Sequence, residues 1–247
     1  NANLLNEDES AWFTLLQVRA WNLENTNINS SEEEILKAKD YFIITHNAAK
    51  AAYACFVYAH IFYSEGNMGK ALYHFLQAEE WAKKADYKLS YLSSYLIFYN
   101  IALLYWQDGK YQEALLYQIE ADKFIKLENG KYQYKIYSSE LKGLIYQNIN
   151  ILDSAAYYYR HATQIADQHN DSTNFSRISY NQSVLHYTNK NYVLAEQKCK
   201  QSISMTAASD SIAMGRRYIT LAYIYTDTYR NDSAILYLQE AERLLQN

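Results

Sequence analysis

Proline is absent from this chain of 247 residues, and glycine occurs only six times. The glycines are scattered, so they cannot form the glycine-rich loop that binds phosphate groups. The sequence also lacks the G-x-S-x-G, H-E-x-x-H and C-x-x-C motifs, and no two of its six histidines lie four residues apart. We therefore expect no catalytic residues, no metal site and no cofactor. An enzyme would require a pocket that gathers titratable groups with shifted pKa values.

Long apolar segments are missing as well. The most apolar stretch, residues 51–63, has 13 residues, which is short of the roughly 18–20 that span a membrane. The formal net charge of −4 gives no general attraction for nucleic acid or anionic membranes. The two cysteines, Cys55 and Cys199, fall in different predicted helices. We expect them to be buried small side chains rather than a disulfide.

What the chain does contain is an internal repeat marked by small residues. Five anchor alanines recur at separations of 43, 41, 40 and 39 residues: Ala71, Ala114, Ala155, Ala195 and Ala234. Seven residues after each anchor stand Ala78, Ala121, Ala162, Ser202 and Ala241, and twelve before it stand Ala59, Ala102, Gly143, Ser183 and Ala222. Nine residues before the anchor the residue is aromatic in every repeat except the fourth, which has His186.

Small residues two turns apart on one helix face let a partner helix approach closely. One helix pair cannot bury its apolar face alone, so such pairs stack into an array. With a glycine at the turn (Gly66, Gly109), the pattern resembles the tetratricopeptide repeat (TPR). These repeats exceed the usual length of about 34 residues and lack the closing proline, which predicts longer helices or longer connections. Long units of this kind resemble those of bacterial regulatory and sensor proteins.

The resemblance implies an all-α fold, a right-handed α-solenoid of antiparallel helix pairs with about 12 helices. We expect one superhelical domain over residues 1–247, in which residues 1–47 form a degenerate N-terminal helix pair or cap and residues 48–247 form five TPR-like repeats. Turns within the last three repeats are expected at 148–150, 189–191 and 230–231. Polar loops at 25–29 and 128–130, and a capping box from Ser31 to Glu34, would bound further helices.

Both ends of the chain are abrupt. Residue 1 is Asn and no signal peptide is visible, so we expect a processed form or an excised part of a longer protein. The last predicted helix has an apolar face that a further helix would cover. The resemblance favours a bacterial source, and the sequence leaves open whether the protein is cytoplasmic or exported and whether it forms a homodimer.

In TPR arrays the first helices of the pairs line the concave face, so the resemblance implies a peptide-binding groove at their non-packing positions. The contact residues predicted in this way are Tyr99, Asn100, Glu140, Arg177, Tyr180, Asn181, Arg216 and Tyr223. In peptide-binding TPRs an asparagine at the place of Asn100 and Asn181 hydrogen-bonds the ligand backbone, because an amide both donates and accepts. Arg177 and Arg216 would hold a ligand carboxylate. The alternative is that these are ordinary surface residues.

Other groove positions are apolar, among them Phe56, Val57 and Leu141. TPR proteins that bind the C-terminal tails of chaperones do so through several lysines and asparagines in the groove, and the groove positions here lack those lysines. The expected ligand is therefore an apolar or aromatic peptide. The chain has 27 tyrosines, which would either fill helix contacts or line the groove. The function we expect is a non-enzymatic protein- or peptide-binding scaffold. The alternative is a ligand-sensing domain of a larger membrane-anchored or DNA-binding bacterial regulator.

Overall fold

The computed structural model describes residues 6–24, 32–87, 91–127 and 131–246, but not the side chains of residues 20–24, 91–92 and 126–127. The predicted loops at 25–29 and 128–130, and Ser31 of the predicted capping box, lie outside the described residues. The helices are α1 (Glu7–Glu24), α2 (Glu32–Ile44), α3 (Ala48–Ser64), α4 (Met68–Lys84), α5 (Tyr91–Gln107), α6 (Tyr111–Leu127), α7 (Tyr132–Asn148), α8 (Leu152–Gln168), α9 (Ser172–Thr188), α10 (Tyr192–Met205), α11 (Ser211–Asp227) and α12 (Asn231–Leu245).

Successive helices form antiparallel pairs, and no strand occurs in the ranges that the structure describes. The predicted all-α fold class and the number of helices are confirmed. The chain divides into two compact units, residues 1–130 with α1–α6 and residues 131–247 with α7–α12. A single domain over residues 1–247 stays a prediction. None of the described helices is long and apolar enough to cross a membrane.

The extra length of the repeats lies mainly in the helices. The helices α3 to α9 and α11 each have 17 residues, and three-residue turns join the two helices of each pair from α3 onward. A repeat of about 34 residues with two such turns would leave only about 14 residues for each helix. Longer helices are therefore the main source of the long period.

Each of these turns reverses the chain through one residue in the left-handed region of backbone conformation. This residue is Gly66, Gly109, Asn150, Lys190 or Tyr229, with φ between +57° and +76°. The N–H group of the residue after it donates to a carbonyl five residues back, as from Arg230 to Tyr225 at 2.8 Å. This pattern caps the last turn of a helix, so the helices end without proline.

The next helix begins with its own cap in several repeats. Asn67 accepts a hydrogen bond from the N–H group of Lys70 at 3.2 Å, and Asn191 has the same role in α10. In the fifth repeat the turn comprises residues 228–230 and not the predicted 230–231. That prediction was wrong because Tyr229 adopts the left-handed conformation, whereas Asn231 is already the first residue of α12.

The recurring small residues lie at the closest helix contacts. All five anchor alanines are buried, and so are the small residues seven after and twelve before them. A Cβ atom added to Gly143 would lie 2.5 Å from the ring of Tyr159, so only glycine fits where α7 meets α8. Cys55 and Cys199 are buried and free, as expected. Burial raises the pKa of their thiols to about 12 and about 11.

The left-handed residue Tyr229 offers a test of the turns, because its ring is 92% exposed and contributes little packing. The substitution Tyr229→Gly removes the Cβ atom that strains this conformation, and we expect it to raise the free energy of unfolding by about 0.5–1 kcal/mol. Tyr229→Ala keeps the Cβ atom and should give no gain. Urea unfolding followed by circular dichroism measures both variants. A loss of stability with glycine would contradict the turn geometry.

Candidate functional site

Several of the predicted groove positions are buried. Phe56, Val57 and Leu141 lie inside helix contacts, and the first two belong to the core that α1, α3 and α5 share. The prediction that these three residues line a groove was wrong, because all three side chains are buried; the ring of Phe56, for example, packs 5.8 Å from that of Phe75 on α4. The accessible surface of the first helices is therefore more polar than expected.

In the second unit, two of the predicted contact residues, Arg177 and Asn181, meet around the carboxylate of a third, Glu140. Glu140 on α7 is buried, and both of its oxygens are bound from α9. Asn181 Nδ2 donates to Glu140 Oε1 at 2.9 Å, and Arg177 Nη1 forms an ion pair with Glu140 Oε2. Arg177 Nη2 also donates to Asn174 Oδ1, and its guanidinium carbon lies 5.4 Å from the centre of the Tyr137 ring. Residues from two repeats thus form one cluster.

Burial raises the pKa of Glu140 above its ordinary value, while Arg177 and Asn181 oppose this rise by favouring the charged form. A buried carboxylate is costly unless its hydrogen-bond partners stay in place. Glu140 therefore acts by orienting Arg177 and Asn181. The side chain of Arg177 is still 42% exposed, so part of its guanidinium faces solvent.

A second, separate polar contact joins α9 to α11. The Tyr180 hydroxyl donates to Thr220 Oγ1 at 3.1 Å, and Thr220 Oγ1 donates in turn to the carbonyl of Arg216 at 3.1 Å. Arg216 and Tyr223 are exposed and lie seven residues apart, on one face of α11. The guanidinium of Arg216 has no hydrogen-bond or ion-pair partner among the described residues.

Sequence reasoning missed a buried arginine, Arg217. Its guanidinium donates to Ser202 Oγ at 2.6 Å and to Ser176 Oγ at 3.1 Å, and it lies 5.3 Å from the centre of the Tyr180 ring. Burial lowers its pKa. The repeat register could have revealed it. The corresponding residue, seventeen before the anchor, is buried in every other repeat: Ala54, Ile97, Ser138 and Ile178.

The remaining two predicted residues belong to the first unit. Asn100 is buried, and its Nδ2 atom donates to the carbonyl of Leu96 in the same helix at 2.7 Å. Tyr99 is half-buried, and its ring stacks on Tyr95 with centroids 5.5 Å apart. The amide that was expected to face a ligand is thus held within α5.

A cavity of about 170 Å³ in the second unit contains none of the eight predicted residues. Asp167, Asp171, Phe175 and Met205 are among its lining residues. Asp171 is already engaged there as the cap of α9, because it accepts from the N–H group of Asn174 at 3.0 Å. Within the described ranges, no group of three or more His, Cys, Asp or Glu residues could hold a metal ion.

No family model and no curated protein matches the chain. Solved structures do match it. A Rap protein complexed with Competence and Sporulation Factor has a TM-score of 0.77 and 15% identity, over 97% of this chain and 66% of that one. The apo form of the quorum sensor NprR from B. thuringiensis has a TM-score of 0.75 and 13% identity, over 99% of this chain and 67% of that one.

A third match is aspartyl phosphate phosphatase F from Bacillus subtilis, with a TM-score of 0.71 and 15% identity, over 98% of this chain and 62% of that one. This chain therefore spans about two thirds of the length of these proteins. NprR has also been solved in complex with its cognate peptide, NprX. At such low identities the likeness establishes the fold, and the chain has the TPR-like helical-repeat fold that the sequence predicted.

The buried carboxylate predicts a pH dependence of stability. Because the pKa of Glu140 is raised, the folded chain holds more protons than the unfolded chain just above the ordinary value of 4.5. The contribution of Glu140 to the free energy of unfolding should therefore fall as the pH rises through that window. Glu140→Gln lacks the titrating group, so it should gain stability relative to wild type over the same window. Chemical unfolding at several pH values measures the difference in the free energy of unfolding between Glu140→Gln and wild type. This difference should be constant at pH values below the window. A difference that shrinks with rising pH would contradict this assignment.

Proposed function

We propose that this chain is a non-enzymatic scaffold that binds a peptide on the first helices of its second unit. The observation that carries the proposal is that polar contacts join α7 to α9 and α9 to α11, beside an exposed arginine and an exposed tyrosine of α11. Glu140 and Thr220 are the buried supports of this surface. Arg177, Asn181, Arg216 and Tyr223 are its ligand-facing side chains.

Each ligand-facing group has a distinct chemical use. The side-chain nitrogen of Asn181 donates a hydrogen bond to Glu140. The side-chain carbonyl oxygen of Asn181 can therefore accept a hydrogen bond from an N–H group of a peptide backbone. The Arg216 guanidinium can bind a carboxylate through two parallel hydrogen bonds. The exposed Tyr223 ring offers a rigid apolar contact and a hydroxyl group.

These groups change the ligand that the sequence alone suggested. With Phe56, Val57 and Leu141 in the core, the exposed side chains on this face of α11 are the aliphatic Ile212, the cationic Arg216 and the aromatic Tyr223. The preferred ligand is a short extended peptide that carries a carboxylate, from a side chain or its C-terminus, next to an aromatic or aliphatic residue. Tyr99 and Asn100 in the first unit are left out of the proposed site.

Similarity to known proteins supports a peptide ligand. Rap with Competence and Sporulation Factor and NprR with NprX are both complexes on the same type of fold. The second candidate function is the ligand-sensing part of a larger regulator, either membrane-anchored or DNA-binding. Its support is that this chain matches about two thirds of the Rap and NprR chains. In that case the same surface would bind the signal.

An enzymatic role has less support, although one protein of similar fold is named a phosphatase. The buried Glu140 has both oxygens engaged by α9, so it is not placed to act on a substrate. The sequence contains no G-x-S-x-G, H-E-x-x-H or C-x-x-C motif. We therefore keep the scaffold as the proposed function.

The proposal can be tested with peptides selected from a random display library against the immobilised chain. The dissociation constant of a selected peptide is measured by calorimetry for wild type and for Arg216→Ala and Tyr223→Ala. Each variant should weaken binding by about tenfold, which corresponds to about 1.4 kcal/mol.

The matched controls are Arg160→Ala and Tyr73→Ala, which remove an exposed arginine of α8 and an exposed tyrosine of α4. These second-helix residues lie outside the proposed surface, so binding should be unchanged. Equal losses in the controls and in the α11 variants would refute the assignment of the site.

A further inference from the structure

Three polar side chains of the first unit surround one buried aromatic ring. The ring is that of Phe56 on α3, which is 1% exposed. The guanidinium carbon of Arg19 on α1 lies 5.0 Å from the centre of this ring, and the ring centres of Tyr53 and His60 lie 6.3 Å and 4.6 Å from it. Tyr53 and His60 are seven residues apart, so they share one face of α3. We call Arg19, Tyr53 and His60 the Arg19 cluster.

The side chains of the Arg19 cluster are half-buried but unpaired. None of the three has a hydrogen-bond or ion-pair partner among the residues that the structure describes. Polar groups that lose water on folding are nearly always hydrogen-bonded, because an unreplaced partner is costly. A guanidinium, a phenol and an imidazole around one ring together supply enough donors to hold a ligand.

The electrostatics of the Arg19 cluster favour an anion. Burial and the nearby Arg19 lower the pKa of His60 to about 4, so its imidazole is neutral at pH 7. Burial raises the pKa of Tyr53, and Arg19 opposes this rise. No carboxylate of the described residues contributes to either shift. The positive charge of Arg19 therefore lacks an acidic partner in this part of the first unit, and a bound anion would balance it.

The surroundings of the cluster indicate which anion fits. With His60 and Tyr53 neutral, the cluster supplies one positive charge, which suits a monoanion better than a phosphate. Aromatic rings flank it, since the ring centre of Trp12 lies 5.0 Å from that of Tyr53. An arginine binds a carboxylate through two parallel hydrogen bonds, and aromatic neighbours favour a flat apolar group beside it.

We propose that the Arg19 cluster binds the carboxylate of a small aromatic acid. Arg19 holds the carboxylate, the Tyr53 hydroxyl and a ring N–H group of His60 donate hydrogen bonds to its oxygens, and Trp12 contacts the aromatic part. The site lies on α1 and α3 of the first unit. It is separate from the proposed peptide surface on α7, α9 and α11 and does not rest on it.

The test is a titration of the whole chain with benzoate at pH 7, followed by NMR at the His60 ring. The His60 signals are those that disappear in His60→Asn, so a carboxylate bound at Arg216 is not counted. Benzoate should shift these signals to saturation. Benzamide has the same shape without the charge and should bind at least about tenfold more weakly. Inorganic phosphate should also bind more weakly than benzoate.

Two variants assign the site to the cluster. Arg19→Gln removes the charge and should weaken benzoate binding by at least about tenfold. Tyr53→Phe removes one donor but keeps the ring that packs, and it should weaken binding by about threefold to tenfold. The control is Lys37→Gln, which removes an exposed lysine of α2 that pairs with Glu33, and it should bind benzoate like wild type.

Several results would overturn the proposal. One is the absence of a saturable shift with benzoate, and another is equal binding of benzamide. Benzoate binding that both Arg19→Gln and Tyr53→Phe leave unchanged would also overturn it, and so would tighter binding of phosphate. Arg19→Gln should leave the affinity of a selected peptide unchanged, so failure of this site is distinguishable from failure of the peptide surface.

Discussion

The contacts of the candidate site depend on how closely neighbouring helices approach, and small side chains set that distance. In the second unit the anchor alanines Ala155, Ala195 and Ala234 are buried where the two helices of each pair meet. Gly143 allows the ring of Tyr159 to lie against the backbone of α7. Close pairs bring the first helices side by side, so Glu140 reaches α9 and Tyr180 reaches α11.

The two units use this geometry differently. The core of the first unit is a large apolar cluster that includes Phe42, Phe56 and Phe75. In the second unit, buried polar groups stand between the first helices: Glu140 on one side of α9, and Arg217 with Ser176 and Ser202 on the other. Buried polar networks impose specific side-chain orientations, because an unpaired member is costly. This is the reason why we propose a ligand-binding surface on the second unit.

The sequence predicted the helices well because their signals are local. The spacing of the small residues located every pair from α3 onward, and polar or glycine-containing turns located most of the reversals. It did not predict which first-helix positions are exposed. Phe56 and Asn181 stand fifteen and fourteen residues before the anchor alanines of their repeats, yet Phe56 is buried and Asn181 is partly accessible. The exposure of such a position depends on how the surrounding helices pack, which the repeat pattern does not specify. Arg217 was within reach of sequence reasoning, since its register position is buried in every other repeat.

The central claim is that a peptide lies on the first helices of the second unit, and a crystal structure of the chain with a selected peptide tests it most directly. The account predicts that the peptide crosses α9 and α11, with a carboxylate within hydrogen-bond distance of the Arg216 guanidinium and a backbone N–H group on Asn181 Oδ1. A peptide bound instead on the second helices, or along α12, would contradict the account.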